Sequence, residues 1–83
     1  MQILLILFIT LIGSFSTPLF AQSTAYEFFE MGQKSFEEGA FDLAIDHYSS
    51  TIEKDNQFVE AIINRGVAYE RLGQYDLALS DYE

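Results

Sequence analysis

The sequence predicts an all-α protein built from two similar helical hairpins. The segment GAFDLAIDHY, residues 39–48, returns 34 residues later as GQYDLALSDY, residues 73–82. Apolar residues follow helical spacing in both copies, and no run of alternating polar and apolar residues predicts a strand. A fixed period of about 34 residues indicates stacked supersecondary units that share one core.

The first copy is predicted to contain two helices joined by a glycine turn. Thr24 and Glu27 have the spacing of a capping box, so a helix is expected from about residue 25 to about residue 38. Gly39 can then take the left-handed conformation that ends a helix. A second helix follows from an apolar stripe with helical spacing, which comprises Phe41, Ala44, Ile45, Tyr48 and Ile52.

The second copy repeats this order. Asp55 and Asn56 favour a turn, and Asn56 is predicted to cap the third helix. That helix is expected over residues 59–72, with Gly73 ending it and a fourth helix starting near Tyr75. The fourth helix has neither a capping glycine nor a basic last turn, and stacked repeats generally need three or more units. We therefore expect the sequence to be a fragment of a longer protein.

Small residues inside the helices indicate where the helices pack closely. Gly32 and Gly66 lie at matching mid-helix positions, where glycine costs about 1 kcal/mol relative to alanine. This placement predicts a helix contact too close for a side chain. The residues predicted to hold the hairpins together are Gly32, Ala44, Tyr48, Gly66, Tyr69, Ala78 and Tyr82.

The second copy resembles the tetratricopeptide repeat, a helix–turn–helix unit of about 34 residues. Ile62, Gly66 and Tyr69 stand where the family pattern has its Trp, Gly and Tyr. Ala78 and Tyr82 match its later Ala and aromatic residue. The resemblance covers residues 25–83 and implies an α-solenoid of antiparallel helix hairpins.

The first copy keeps most of the same pattern. It departs at Ser35, where a large aromatic residue is usual, and at Asn56, where a proline is usual. The matching residues are Phe28, Met31, Gly32, Ala44 and Tyr48. The two copies divide the chain into a first repeat with a short lead-in at 22–58 and a truncated second repeat at 59–83. A signal peptide is expected before them, at 1–21.

The N-terminal segment has the composition of an export signal. Residues 1–21 contain no charged side chain, and their apolar run from Ile3 to Ile12 has the length of a signal-peptide core, about 7 to 15 residues. Cleavage after Ala21 or after Ala25 both fit, and an uncleaved anchor over residues 3–20 stays open, because no basic residue precedes the run. Each alternative places the rest of the chain outside the cytoplasm: in the periplasm, secreted, or anchored on the outer side.

Composition excludes several classes of site. The chain carries 13 acidic and 4 basic residues, a net charge of −9, which argues against a nucleic-acid surface. It has no cysteine, so neither a disulfide scaffold nor a thiolate metal site is expected. His47 has no second ligand one helical turn away, and no serine lies in a nucleophile motif. We expect no catalytic residue, no metal, no cofactor and no small-molecule substrate.

The resemblance implies a role in protein binding. In this family the first helix of each repeat lines a concave groove that holds extended or helical peptides. The positions carried over are Tyr26, Phe29, Gln33, Phe36, Glu37, Glu60, Ile63, Val67, Glu70 and Arg71. Phe29, Phe36 and Ile63 predict an exposed apolar patch, although packing against the neighbouring repeat is an equal alternative for the two phenylalanines.

One specialisation of the family is not expected. Its chaperone-tail-binding members need a Lys and an Asn where this chain has Phe29 and Gln33, and only Asn64 matches the pattern. The predicted function is thus an exported, non-catalytic scaffold that binds other proteins or peptides. The alternative is an extracytoplasmic sensing or docking segment of a larger enzyme or receptor.

Overall fold

The described residues form four helices. The computed structural model describes residues 24–83, so the predicted signal peptide lies outside this range and stays a prediction. The helices are α1 (24–37), α2 (Phe41–Lys54), α3 (Val59–Arg71) and α4 (Tyr75–Tyr82). Residues 24–83 contain no strand, and consecutive helices pack in pairs, which confirms the all-α class of helix-hairpin repeats.

Both glycine turns adopt the predicted conformation. Gly39 has a φ of +78° and Gly73 a φ of +76°, the left-handed region where a Cβ is unfavourable. The Ala40 amide donates to the Ser35 carbonyl over 2.9 Å, and the equivalent bond in the second copy has the same length. This is the hydrogen bond of a Schellman motif, which satisfies carbonyls at the end of a helix.

The turn before α3 differs from the expectation. Asn56 does not cap this helix: the cap position belongs to Phe58, and no side chain bonds there. Instead, the Asp55 carboxylate accepts a hydrogen bond of 3.1 Å from the Gln57 amide. The Phe58 amide donates to the Asp55 carbonyl over 3.2 Å, so Asp55 accepts two hydrogen bonds within this turn.

The core lies where α1, α2 and α3 meet. The Phe29 ring lies 5.8 Å from the ring of Tyr48 and 4.8 Å from the ring of Phe58, measured between centroids. Ala44 and Ala61 are fully buried beside these rings, and their small side chains let the three helices approach. Within residues 24–83, no helix has the length and hydrophobicity needed to cross a membrane.

The two mid-helix glycines each face a tyrosine ring. A Cβ added to Gly32 would lie only 2.6 Å from Tyr48 Cδ1, and one added to Gly66 would lie 2.6 Å from Tyr82 Cε1. Both distances are shorter than van der Waals contact, so neither position accepts a side chain unless the ring moves. The same glycine–tyrosine contact thus joins the helices in both hairpins.

Candidate protein-binding groove

The candidate groove is the surface formed by the leading helices α1 and α3. Most of the ten residues assigned to it are accessible, but one is buried. The exposed ones are Tyr26, Gln33, Glu37, Glu60, Ile63, Glu70 and Arg71, and the partly buried ones are Phe36 and Val67. Phe29 is the buried one.

Phe29 belongs to the core and not to an open surface. Its side chain is 4 % exposed and its ring contacts those of Tyr48 and Phe58. The prediction of an exposed Phe29 is therefore wrong, and the alternative of packing against the neighbouring repeat holds. Phe58 is the last residue of the first repeat, but Ala61 on α3 belongs to the same buried cluster, so the second repeat also covers Phe29.

Phe36 also packs against neighbours. Its ring meets the Phe41 ring edge to face at 5.1 Å between centroids. The Arg71 guanidinium lies over both rings, 5.5 Å from Phe36 and 5.8 Å from Phe41. Such cation–π contacts contribute about 0.5 to 1 kcal/mol at exposed sites. Arg71 therefore joins the end of α3 to the first hairpin, and of the predicted apolar patch only Ile63 is exposed.

The Tyr48 side chain connects the core to the groove. A side-chain hydrogen bond joins Tyr48 to Asn64 on α3, and the carboxylate of Glu37 on α1 interacts electrostatically with the phenol. Burial raises the pKa of Tyr48, the Asn64 hydrogen bond opposes this shift, and Glu37 adds to it. Asn64, the only residue that matched the chaperone-tail pattern, is thus engaged with a core tyrosine.

The open face is mainly acidic. Glu37, Glu60 and Glu70 are all exposed, and the guanidinium of Arg71 is held over two phenylalanine rings. Ile63 is 46 % exposed on the same helix as Glu60 and Glu70, and Val67 lies one turn away, partly buried. The face therefore offers an apolar strip bordered by carboxylates.

The sequence reasoning missed an ion pair that fixes the second hairpin. Arg65 donates from Nε to Asp81 Oδ2 over 2.9 Å and from Nη2 to Asp81 Oδ1 over 2.6 Å. It also donates from Nη1 to Ser49 Oγ over 3.2 Å, which connects α3 to α2. The sequence does contain a signal for this ion pair, because the two positions differ together between the copies. The first copy has Met31 and His47 where the second has Arg65 and Asp81.

Alkaline pH should destabilise the described helices. A hydrogen bond to the Glu70 carboxylate raises the pKa of Tyr82 to about 12, and burial raises that of Tyr48. Both folded pKa values lie above the ordinary 10, so their contribution to stability is complete below pH 10 and is lost as the pH rises towards 12. Circular dichroism and tyrosinate absorbance should change together over this interval, and Tyr82→Phe should remove the last part of the absorbance change. An absorbance change completed near pH 10 in the folded chain would contradict this.

No cluster of three or more His, Cys, Asp or Glu side chains in residues 24–83 is arranged to hold a metal ion.

Comparison with known proteins finds similar proteins but does not assign the chain to a family. No family model matches the chain. No solved structure matches it either.

The chain is similar to several curated plant proteins. It is 33 % identical over 52 residues to Hsp70-Hsp90 organizing protein 1 of Arabidopsis thaliana and to Hsp70-Hsp90 organizing protein of Triticum aestivum. Each of these alignments covers 63 % of this chain. It is 30 % identical over 54 residues to Hsp70-Hsp90 organizing protein 1 of Glycine max, which covers 65 % of it. The match spans 9 % of the length of each relative. Together with the packed helix pairs, this similarity supports a helical repeat like the tetratricopeptide repeat.

Proposed function

We propose that residues 24–83 form a non-catalytic protein-binding module that contacts its partner through the open face of α1 and α3. The observation that carries the proposal is the half-exposed Ile63, with Val67 beside it and exposed carboxylates around both. An apolar strip with a charged border has the composition of a contact surface, because burial of the strip drives association and the border provides selectivity.

The similar proteins support a binding role in general terms. Their names describe proteins that organise Hsp70 and Hsp90, which is an adaptor role. Because the match spans 9 % of those proteins, the similarity supports binding to a protein but does not extend to their partners. The partner of this chain has to be argued from its own surface.

The charge of the groove favours a peptide that is apolar and basic. Glu37, Glu60 and Glu70 would repel an acidic tail, and the repulsion would be strongest at low ionic strength. The chaperone-tail-binding members of the tetratricopeptide-repeat family need a Lys and an Asn at two positions of the groove. Here those positions hold the buried Phe29 and the neutral Gln33. We therefore infer that the module takes peptides with lysine or arginine next to an apolar anchor.

The proposal can be tested by selecting peptides from a random display library against the full chain. Enriched peptides should carry a net positive charge and an aliphatic or aromatic anchor. Changing Ile63 to Ser should weaken their binding about tenfold in fluorescence anisotropy, because it removes the apolar centre of the contact. Binding should also weaken as salt is raised, because the peptide charges are attracted to exposed carboxylates.

Leu43 provides a matched control. It is 47 % exposed, against 46 % for Ile63, but lies on the trailing helix α2. Leu43→Ser should leave the affinity within about twofold. Selection of acidic peptides would contradict the proposed preference for basic partners. Equal affinity losses for Ile63→Ser and Leu43→Ser would place the contact elsewhere on the protein.

A further inference from the structure

The apolar strip of the groove ends at a cation. Ile63, Val67 and Arg71 follow one another at intervals of one helical turn, so their side chains lie on one face of α3. Glu60 lies one turn before Ile63, at the other end of the same face. The strip is therefore electrically asymmetric: it begins at a carboxylate, is apolar in its middle and ends at a guanidinium.

The Arg71 guanidinium has no ion pair and no hydrogen bond within residues 24–83, although this range contains all 13 acidic residues of the chain. Its contacts there are with the rings of Phe36 and Phe41. Glu70 precedes Arg71 in the sequence and Glu37 holds the matching position of α1, but neither carboxylate pairs with it. Its N–H donors are thus available to an acceptor from outside this part of the chain.

The two rings also prepare Arg71 for such an acceptor. A guanidinium that lies over aromatic faces is restricted before any ligand binds, so less side-chain entropy is lost on binding. Its planar fork of N–H donors matches the two oxygens of a carboxylate, with which it forms charge-assisted hydrogen bonds. The acceptor that fits an exposed, pre-oriented guanidinium at the end of an apolar strip is therefore a carboxylate of the bound partner.

We propose that the groove recognises three groups of its partner in a fixed order: a basic side chain near Glu60, an apolar anchor on Ile63 and Val67, and a single carboxylate on Arg71. This inference rests on the proposed function, to which it adds the carboxylate and the order of the groups. Arg71 acts in it as a specificity-determining residue, because the basic groups and the anchor alone do not fix the direction in which a peptide lies.

The helix α3 sets the spacing between anchor and carboxylate. Arg71 lies eight residues after Ile63, which is about 12 Å along the helix axis at 1.5 Å per residue. An extended peptide advances about 3.3 Å per residue, so its acidic residue should stand about three or four positions from the anchor. A second carboxylate should not improve binding, because the exposed Glu37 and Glu70 would repel it.

The test is a glutamate scan with fluorescent peptides whose ends are blocked. Each peptide has a phenylalanine anchor, lysines on one side of it and one glutamate on the other side, which is moved one position at a time. A second series reverses the order. Titration of the full chain should show an affinity maximum in one series, at a separation of about three or four positions. The peptide at the maximum should bind about fivefold more tightly than the same peptide with glutamine, the upper range for an exposed ion pair.

Lys54 provides a matched control for Arg71. Both are exposed and lie in the last turn of a helix, so Arg71→Gln and Lys54→Gln each remove one positive charge from the same kind of position. Arg71→Gln should abolish the maximum and leave the affinity for the glutamine peptide within about twofold. Lys54→Gln should leave the maximum in place. The scan of the unaltered chain tests the spacing independently of any effect of Arg71→Gln on the fold.

Three results would overturn this inference and leave the proposed function standing. The first is an affinity that does not depend on the position of the glutamate. The second is a maximum that Arg71→Gln and Lys54→Gln lower equally, because the carboxylate would then respond only to the total charge. The third is tighter binding with each added glutamate, which would indicate a site for an acidic tail. Binding of none of these peptides would contradict both the inference and the proposed function.

Discussion

Replacing Tyr48 with alanine should unfold the two hairpins, whereas the same change at Tyr82 should leave them folded. Tyr48 is buried, its ring covers the Gly32 backbone and contacts Phe29, and its side chain bonds to Asn64. Truncating a large buried aromatic residue costs about 3 to 5 kcal/mol, because it removes apolar burial and leaves a cavity. A domain of this size has a total stability of about 5 kcal/mol or less, so the loss removes most of it.

Tyr82 makes the equivalent contact with Gly66 but is 44 % exposed. Its truncation should cost about 1 kcal/mol, as for partly exposed positions in general. Urea unfolding of the full chain and both variants, followed by circular dichroism, measures the difference. Equal losses for the two variants would show that the burial difference between the hairpins does not exist in solution.

Replacing Arg65 with methionine should destabilise the protein by about 3 kcal/mol. The change leaves the Asp81 carboxylate, whose side chain is 7 % exposed, without its cation. It also removes the bond from Arg65 to Ser49 that connects α3 to α2. Methionine occupies the equivalent position in the first hairpin, Met31, so the replacement fits the shape of a repeat of this kind.

The double variant Arg65→Met with Asp81→Leu separates the two causes. If the cost arises from an unpaired buried carboxylate, removing that carboxylate should recover most of the stability, since apolar replacement of a buried ion pair is often neutral. A double-mutant cycle by urea unfolding gives the coupling free energy, for which we expect 1 to 3 kcal/mol, on the order typical of contacting residues. Additive losses would mean that the pair contributes nothing beyond its separate contacts.

The turn geometry was predictable because it depends on single residues. Gly39 and Gly73 each lie two residues after the last residue of a helix, and no other residue type takes a positive φ as easily, so sequence alone located both helix ends to within a residue. Asn56 failed as a predicted cap for a related reason. Asp55 and Asn56 have similar turn preferences, and the choice between them depends on where α3 begins, which its packing determines.

The fate of the predicted groove residues depends on contacts between repeats, which sequence spacing does not contain. Phe29 and Ile63 occupy matching positions in the two copies, yet Phe29 is buried and Ile63 is half exposed. Phe29 meets Phe58, a residue that precedes α3 and has no helical register to reveal its direction. Position in the repeat thus predicted which face a residue lies on, but not whether a neighbour covers it.

The position of α3 between two trailing helices has a consequence for cooperativity. One side of α3 contributes Ala61 to the first hairpin, and another side contributes Gly66, which receives the ring of Tyr82. Arg65 lies between them and bonds to both α2 and α4. Neither hairpin therefore has a complete interior without this one helix. The boundary between repeats that is visible in the sequence is not a boundary between independently folding units.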